Sequence, residues 1–164
     1  AHGGWCYRSV AAILRSAGHD VYTPTMTGVG ERAHLVTADV DLDMHIRDIC
    51  AVMHYDDLRD VILVGHSYGG MVITGVADRA AERVAKLVYL DAANPVNRQS
   101  LVDVTGGMIE IVRPDGKVVD GVELTKPFLP AVPMIFAAPT LSPAFFSSAA
   151  ACWCSFSATN HSTA

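Results

Sequence analysis

The fold is decided by one stretch, Val61-Ile-Leu-Val-Gly-His-Ser-Tyr-Gly-Gly-Met-Val-Ile-Thr-Gly-Val76. Its first four residues are apolar and three of them are β-branched, which predicts a strand buried on both faces, and the end of the stretch predicts a helix. Between them lies Gly65-His-Ser-Tyr-Gly69, a G-x-S-x-G pattern typical of a nucleophile at a strand-to-helix turn. We therefore predict that Ser67 stands where the strand ends, beside a helix N-terminus that favours developing negative charge.

Composition narrows the class of protein. The 164 residues fit one domain, and 51% hydrophobic with 18% charged residues indicates a globular chain. A net charge of -5 argues against a nucleic-acid partner. The four cysteines show no C-x-x-C spacing, which favours free thiols in a reducing, cytoplasmic setting over a disulfide framework or a zinc site. Four prolines interrupt the apolar tract 128–151, so we do not expect a membrane span.

Helix and strand patterns alternate along the first part of the chain. We predict a helix that ends at Gly18, a strand over Val21–Thr23, a helix that begins near Asp41, the strand and helix of the serine stretch with the helix reaching about Glu82, and a strand over Lys86–Asp91. This order, with short connections, predicts an α/β fold with a parallel sheet. We place this core within residues 1–94.

The pattern changes after Pro95. Residues 108–112 and 118–122 predict a hairpin around the turn Pro114-Asp-Gly116. We expect residues 95–143 to form a lid or cap segment. Residues 144–164 are rich in Ala, Ser and Cys and lack periodicity, so we expect an irregular tail.

Several motifs together resemble the α/β-hydrolase superfamily, in particular small bacterial esterase-like proteins related to plant methylesterases and hydroxynitrile lyases. The motifs are Ala1-His-Gly-Gly-Trp-Cys-Tyr7, Ala17-Gly-His-Asp-Val-Tyr-Thr-Pro24, Thr27-Gly-Val-Gly-Glu-Arg-Ala-His34, the Gly65 stretch, and Leu87-Val-Tyr-Leu-Asp-Ala92. The resemblance covers residues 1 to about 104. It implies a doubly wound, mostly parallel sheet with a lid after the strand that ends at Asp91, a small-molecule ester as substrate, and neither metal nor organic cofactor.

The resemblance also implies roles for individual residues. Ser67 is expected to be the nucleophile, and the backbone N–H of Tyr68 is expected to form part of an oxyanion hole. The family order is nucleophile, acid, histidine. Asp91 is either the acid or a strand-end residue that bonds to loop amides, and both interpretations stay open. His161 is the only histidine after Ser67 and hence the candidate base.

Further expectations concern the pocket and the remaining histidines. Gly3, Gly4, Trp5 and His66 are expected to line the substrate pocket. The more economical interpretation of His45 and His54 is that both are helix residues, and that His34 belongs to a glycine-rich loop.

The chain also departs from the family pattern. In this branch a strand and a His-Gly turn normally precede the segment equivalent to Ala1-His2-Gly3 and supply a second oxyanion donor. We therefore expect a chain that is incomplete at both ends, with impaired turnover and with open sheet edges that favour a homo-oligomer. Two other functions remain open: a hydroxynitrile-type lyase, in which the same serine and histidine relay a proton, and a non-catalytic or truncated binding protein.

Overall fold

The computed structural model describes residues 2–106, 111–112, 118–119 and 133–137. Its α-helices are α1 (Arg8–Ser16), α2 (Leu42–Tyr55), α3 (Gly69–Arg79) and α4 (Leu101–Val104). Its strands are β1 (Asp20–Tyr22), β2 (Val61–Ser67), β3 (Val84–Ala92), β4 (Ile111–Val112), β5 (Val118–Val119) and β6 (Pro133–Ala137). Three 3-10 turns lie at Gly4–Tyr7, Gly30–Leu35 and Ala81–Arg83.

Four strands form the main sheet in the order β1-β6-β2-β3. Strand β2 runs parallel to β3, with Leu63 opposite Leu87. Strand β6 is antiparallel to both of its neighbours. Its Ile135 lies opposite Tyr22 on β1 and opposite Leu63 on β2. Because β6 runs opposite to both neighbours, β1, β2 and β3 share one direction. Three of the four strands of the main sheet therefore point the same way.

Helices cover both faces of this sheet because β2 alternates between two cores. Val61 and Leu63 face the core that contains α2 and α3, with Ile49 and Val72 fully buried there. Ile62 and Val64 face the opposite core with Leu14 of α1. A strand with apolar residues on both faces needs a helix layer on each side to remove those residues from water. The predicted doubly wound α/β architecture is confirmed.

The helix boundaries follow local signals. Asp41 caps α2, since its Oδ1 accepts a hydrogen bond from Met44 N at 2.8 Å, which satisfies a backbone donor that has no partner within the helix. The helix after the serine turn is shorter than predicted. It ends at Arg79, and Ala81–Arg83 forms a separate 3-10 turn before β3.

Strand β6 is the largest difference from the sequence-based expectation. It comes from the segment assigned to a lid, yet it lies between β1 and β2 in the main sheet. Ile111–Val112 pairs antiparallel with Val118–Val119, within the stretches for which a hairpin is expected. The boundaries at residues 94 and 143 stay predictions. Within the described residues, no helix is both long and apolar enough to cross a bilayer.

Candidate active site

Ser67 is the last residue of β2 and has a left-handed backbone with φ +53°. Such a φ is sterically costly for any residue with a Cβ, and it turns the chain sharply from the strand into α3. The pairing with β3 shifts at the same point: His66 lies opposite Leu90 and Ser67 opposite Ala92. Asp91 is the extra residue of this bulge and also has a positive φ, +44°.

Glycines permit the turn to close on itself. A Cβ on Gly65 would lie 2.5 Å from the carbonyl oxygen of Gly69, closer than packed atoms allow. A Cβ on Gly70 would collide with the carbonyl oxygen of Ala93. The backbone N–H of Ala93 in turn donates to the carbonyl oxygen of Ser67 at 3.0 Å. The G-x-S-x-G pattern marked the turn in the sequence, but gave no sign that Gly70 contacts the chain after β3.

Tyr68 occupies the N-cap position of α3, directly after the serine. Backbone N–H groups at a helix start lack partners within the helix, and the helix dipole adds positive character there. The N–H of Tyr68 therefore suits the oxyanion that would form on a carbonyl oxygen when Ser67 attacks the carbonyl carbon.

The phenol of Tyr68 enters a partly buried polar network. Its oxygen lies 3.0 Å from Nδ1 of His45, and Nε2 of His45 lies 2.9 Å from the carbonyl oxygen of Thr27. Thr27 donates its N–H and its hydroxyl to the two carboxylate oxygens of Asp48, at 2.6 and 3.0 Å. Burial raises the pKa of Tyr68, so its hydroxyl keeps its proton. His45 lies on a helix, as the sequence predicted, but the network was not predicted. The one local indication was the spacing of three residues between His45 and Asp48, which puts both side chains on the same face of a helix.

The loop expected to line the pocket is held by Thr25 and Glu31. Gly4 N–H donates to Thr25 Oγ1 at 2.7 Å, and the Thr25 hydroxyl donates to Glu31 at 2.5 Å. Hydrogen bonds from Thr25, from the Glu31 backbone and from the Trp5 side chain hold the pKa of Glu31 below its ordinary value. Gly3 and Gly4 are buried, whereas Trp5 is 45% exposed, with its ring 5.6 Å from that of His2.

The remaining predicted site residues are placed less favourably or lie elsewhere. His66 is only 1% exposed, so its ring is enclosed by protein. Asp91 is exposed at the bulge, next to Ser67 across the strand pair. His161 lies outside the described residues. His34 is exposed, with Nδ1 3.2 Å from the carbonyl oxygen of Glu31, as suits a loop residue.

Ser67 and the backbone N–H of Tyr68 have positions that fit the expected nucleophile and oxyanion donor, and the expected base, His161, belongs to the part of the chain outside the described residues. Burial raises the pKa of Cys6 to about 12 and also raises that of Cys50, so both thiols stay protonated and are poor nucleophiles. The described residues also contain no cluster of three His, Cys, Asp or Glu side chains that could hold a metal ion.

A strained serine between a buried strand and a helix, in a sheet covered on both faces, defines the class. The chain matches the alpha/beta hydrolase family over residues 1–161 and belongs to that family.

Its relatives include enzymes that cleave esters. The chain is similar to a carbendazim hydrolyzing esterase of Nocardioides sp. (strain SG-4G), at 62% identity over 101 residues, which is 62% of this chain and 42% of that protein. It is also similar to esterase PIR7B of Oryza sativa subsp. japonica, at 30% identity over 73% of this chain and 45% of the rice protein. The chain thus spans less than half the length of these relatives.

Solved structures agree on the fold. An extracellular alpha/beta-hydrolase from a Paenibacillus species, which shares structural and functional homology with Tobacco Salicylic Acid Binding Protein 2, is similar with a TM-score of 0.57 and 29% identity, over 69% of this chain and 51% of that one. Tomato Methylketone Synthase I gives a TM-score of 0.54 over 79% of this chain and 50% of that one. Its 21% identity supports the fold alone.

Proposed function

We propose that this chain carries the nucleophile and one oxyanion donor of a serine esterase that acts on a small, mostly apolar ester. The observation that carries the proposal is the left-handed φ of +53° at Ser67. A non-glycine residue keeps such a conformation only where the surrounding structure enforces it, and such residues cluster at catalytic sites.

The reaction follows from the positions of these groups. Ser67 Oγ attacks the ester carbonyl carbon while a base takes the hydroxyl proton, and the Tyr68 N–H stabilises the negative charge that forms on the carbonyl oxygen. Collapse of the tetrahedral intermediate breaks the bond to the alcohol, which leaves with that proton. Water then attacks the acyl-enzyme, returns a proton to Ser67 and releases the acid.

The base and the acid are proposed from chain order. His161 is the only histidine after Ser67, and Asp91 lies beside Ser67 at the bulge, so we assign the base to His161 and its orienting carboxylate to Asp91. One alternative from the sequence stays open, a binding protein that holds esters without cleaving them.

The substrate class is proposed from the relatives and from Trp5. The relative at 62% identity acts on carbendazim, and the exposed indole of Trp5 would suit an apolar or aromatic ligand. Gly3, Gly4 and His66 are proposed to complete the pocket. We also propose a cytoplasmic location, because the cysteine usage suits a reducing compartment. A homo-oligomer is proposed because the outer edge of β3 has no partner strand among the described residues.

The test is hydrolysis of carbendazim and of p-nitrophenyl acetate by the chain, by its Ser67→Ala variant and by Ser9→Ala. Ser9 is an exposed serine on α1 and serves as the matched control. We expect Ser67→Ala to lose at least about 1,000-fold in turnover of at least one ester, because the covalent route is removed, while Ser9→Ala keeps the parental rate. Equal rates in Ser67→Ala and the parental chain, or binding of both esters without any turnover, would contradict the proposal.

A further inference from the structure

We infer that His45 is a positioning residue for the oxyanion donor: it holds the phenol of Tyr68 and so fixes the direction of the Tyr68 backbone N–H. The inference rests on the proposed function, because the N–H has a catalytic role only if Ser67 forms a tetrahedral intermediate. It adds a residue of α2, 22 positions before the nucleophile in the sequence, to the machinery of the site.

The partners of His45 assign its tautomer. A carbonyl oxygen only accepts hydrogen bonds, so Nε2, 2.9 Å from the Thr27 carbonyl oxygen, carries the ring proton. In that neutral ring Nδ1 is an acceptor, and the Tyr68 hydroxyl donates to it at 3.0 Å. Both ring nitrogens make hydrogen bonds and His45 is 9% exposed. This suits a residue that positions Tyr68, and it excludes His45 as the base for Ser67.

The support behind His45 is rigid. Thr27 is bound through its N–H and hydroxyl to Asp48, one turn further along α2 than His45. Arg32 donates to the Thr25 carbonyl oxygen at 2.8 Å and to Thr27 Oγ1 at 3.1 Å. The Tyr68 phenol is therefore attached to α2 directly, and the loop that accepts from His45 is attached to the same helix.

The start of α3 requires such an anchor. In the described structure, no side chain caps this helix, and Tyr68 follows a residue held at a strained φ. Strained backbone persists only where surrounding contacts over-determine it. The Tyr68–His45 hydrogen bond and the edge-to-face contact of the two rings, 5.7 Å apart at 78°, supply contacts of that kind at the donor residue itself.

Two substitutions separate the two ends of the imidazole. His45→Asn places an amide near Nδ1 and keeps an acceptor for the Tyr68 hydroxyl. His45→Gln places an amide near Nε2, keeps the donor to Thr27 and loses the acceptor. Tyr68→Phe removes the hydroxyl and keeps the backbone N–H. His54 is an exposed histidine on the same helix, so His54→Gln is the matched control.

The measurement is the rate of Ser67 phosphonylation by a fluorophosphonate, resolved into probe affinity and maximal rate, with circular dichroism to confirm folding. Loss of one oxyanion donor costs about 100- to 1,000-fold, so its misalignment should cost roughly tenfold in maximal rate. We expect this loss of maximal rate, with unchanged probe affinity, in His45→Gln and in Tyr68→Phe. The double variant should lose no more than either single variant, because both substitutions remove the same Tyr68–His45 hydrogen bond. His45→Asn and His54→Gln should stay within about threefold of the parental rate.

The outcomes keep the two claims apart. Ser67-dependent labelling with the parental maximal rate in folded His45→Gln, or an equal loss in His45→Asn and His45→Gln, overturns the positioning role and leaves the proposed function standing. Labelling that persists unchanged in Ser67→Ala overturns the proposed function itself.

Discussion

Ser67 joins a strained backbone to a partly exposed hydroxyl at the end of a buried strand. The strain costs stability in every folded molecule, whereas a hydroxyl placed just before a helix N-terminus is useful only to a reacting ligand. Stability and function therefore make opposite demands on this one residue.

This opposition predicts that Ser67→Gly is more stable than Ser67→Ala. A left-handed φ costs a residue with a Cβ about 1–2 kcal/mol, and glycine gives back about 0.5–1 kcal/mol as unfolded-chain entropy, so a net gain of roughly 1 kcal/mol is expected. Urea denaturation of both variants measures it. At Ala12, exposed within α1, the order should reverse, with Ala12→Gly less stable than the parental chain by about 1 kcal/mol. Equal stability of the two Ser67 variants would show that the turn is relaxed.

At this scale the sequence predicted some residues and not others. Gly65 and Ser67 belong to a contiguous pattern whose steric reason is local, so they could be found without a structure. The clash that Gly70 avoids involves Ala93, and the partner of Tyr68 is His45; both contacts join residues more than 20 positions apart. Spacing within one element carries no information on such pairs.

At the scale of elements, two loops meet at Thr25. The 3-10 turn that begins at Gly30 brings Glu31 against Thr25, and Thr25 holds the loop through Gly4. The Trp5 side chain also contributes to the lowered pKa of Glu31. The ionised carboxylate of Glu31 therefore fixes the loop that carries the exposed indole.

This arrangement predicts an acid transition at Trp5. The pKa of Glu31 is lowered in the folded chain by its hydrogen bonds, so the stabilisation is present above the ordinary value of 4.5 and is lost as the pH falls below it through the folded pKa. Tryptophan fluorescence followed from about pH 7 to pH 3 should show a step that Glu31→Gln and Trp5→Phe both remove.

Glu82→Gln is the control for that titration, because Glu82 is an exposed carboxylate whose partner, Arg83 Nε at 3.8 Å, is remote from Trp5 in the sequence. This variant should keep the step. A step of unchanged size and midpoint in Glu31→Gln would show that another group controls the indole.

Elements were predictable where their patterns were strong. The start of α2 was predicted to within one residue, near Asp41, and the four apolar residues of β2 predicted that strand. Strand β6 was missed because it is a short apolar run that begins at Pro133, in a tract with several prolines, and nothing local distinguishes such a run from a loop.

At the scale of the whole molecule, three layers place the carboxyl ends of β2 and β3 at one edge of the sheet, which is where Ser67 and Asp91 lie. Strand alternation predicted an α/β fold with a parallel sheet, and the family resemblance implied the doubly wound layering. Strand alternation could not predict that β6 lies between β1 and β2, because strand order depends on non-local pairing. The same limit applies to the base, since family order pointed to His161 without placing it.

The central claim is that the fold presents Ser67 as a nucleophile. The most direct measurement is peptide mapping by mass spectrometry after exposure of the chain to a fluorophosphonate. We expect one adduct, on Ser67, that is absent from Ser67→Ala and retained in Ser9→Ala. An adduct on other residues alone, or none on Ser67 in the folded chain, would contradict the claim and leave a strained serine in a binding protein.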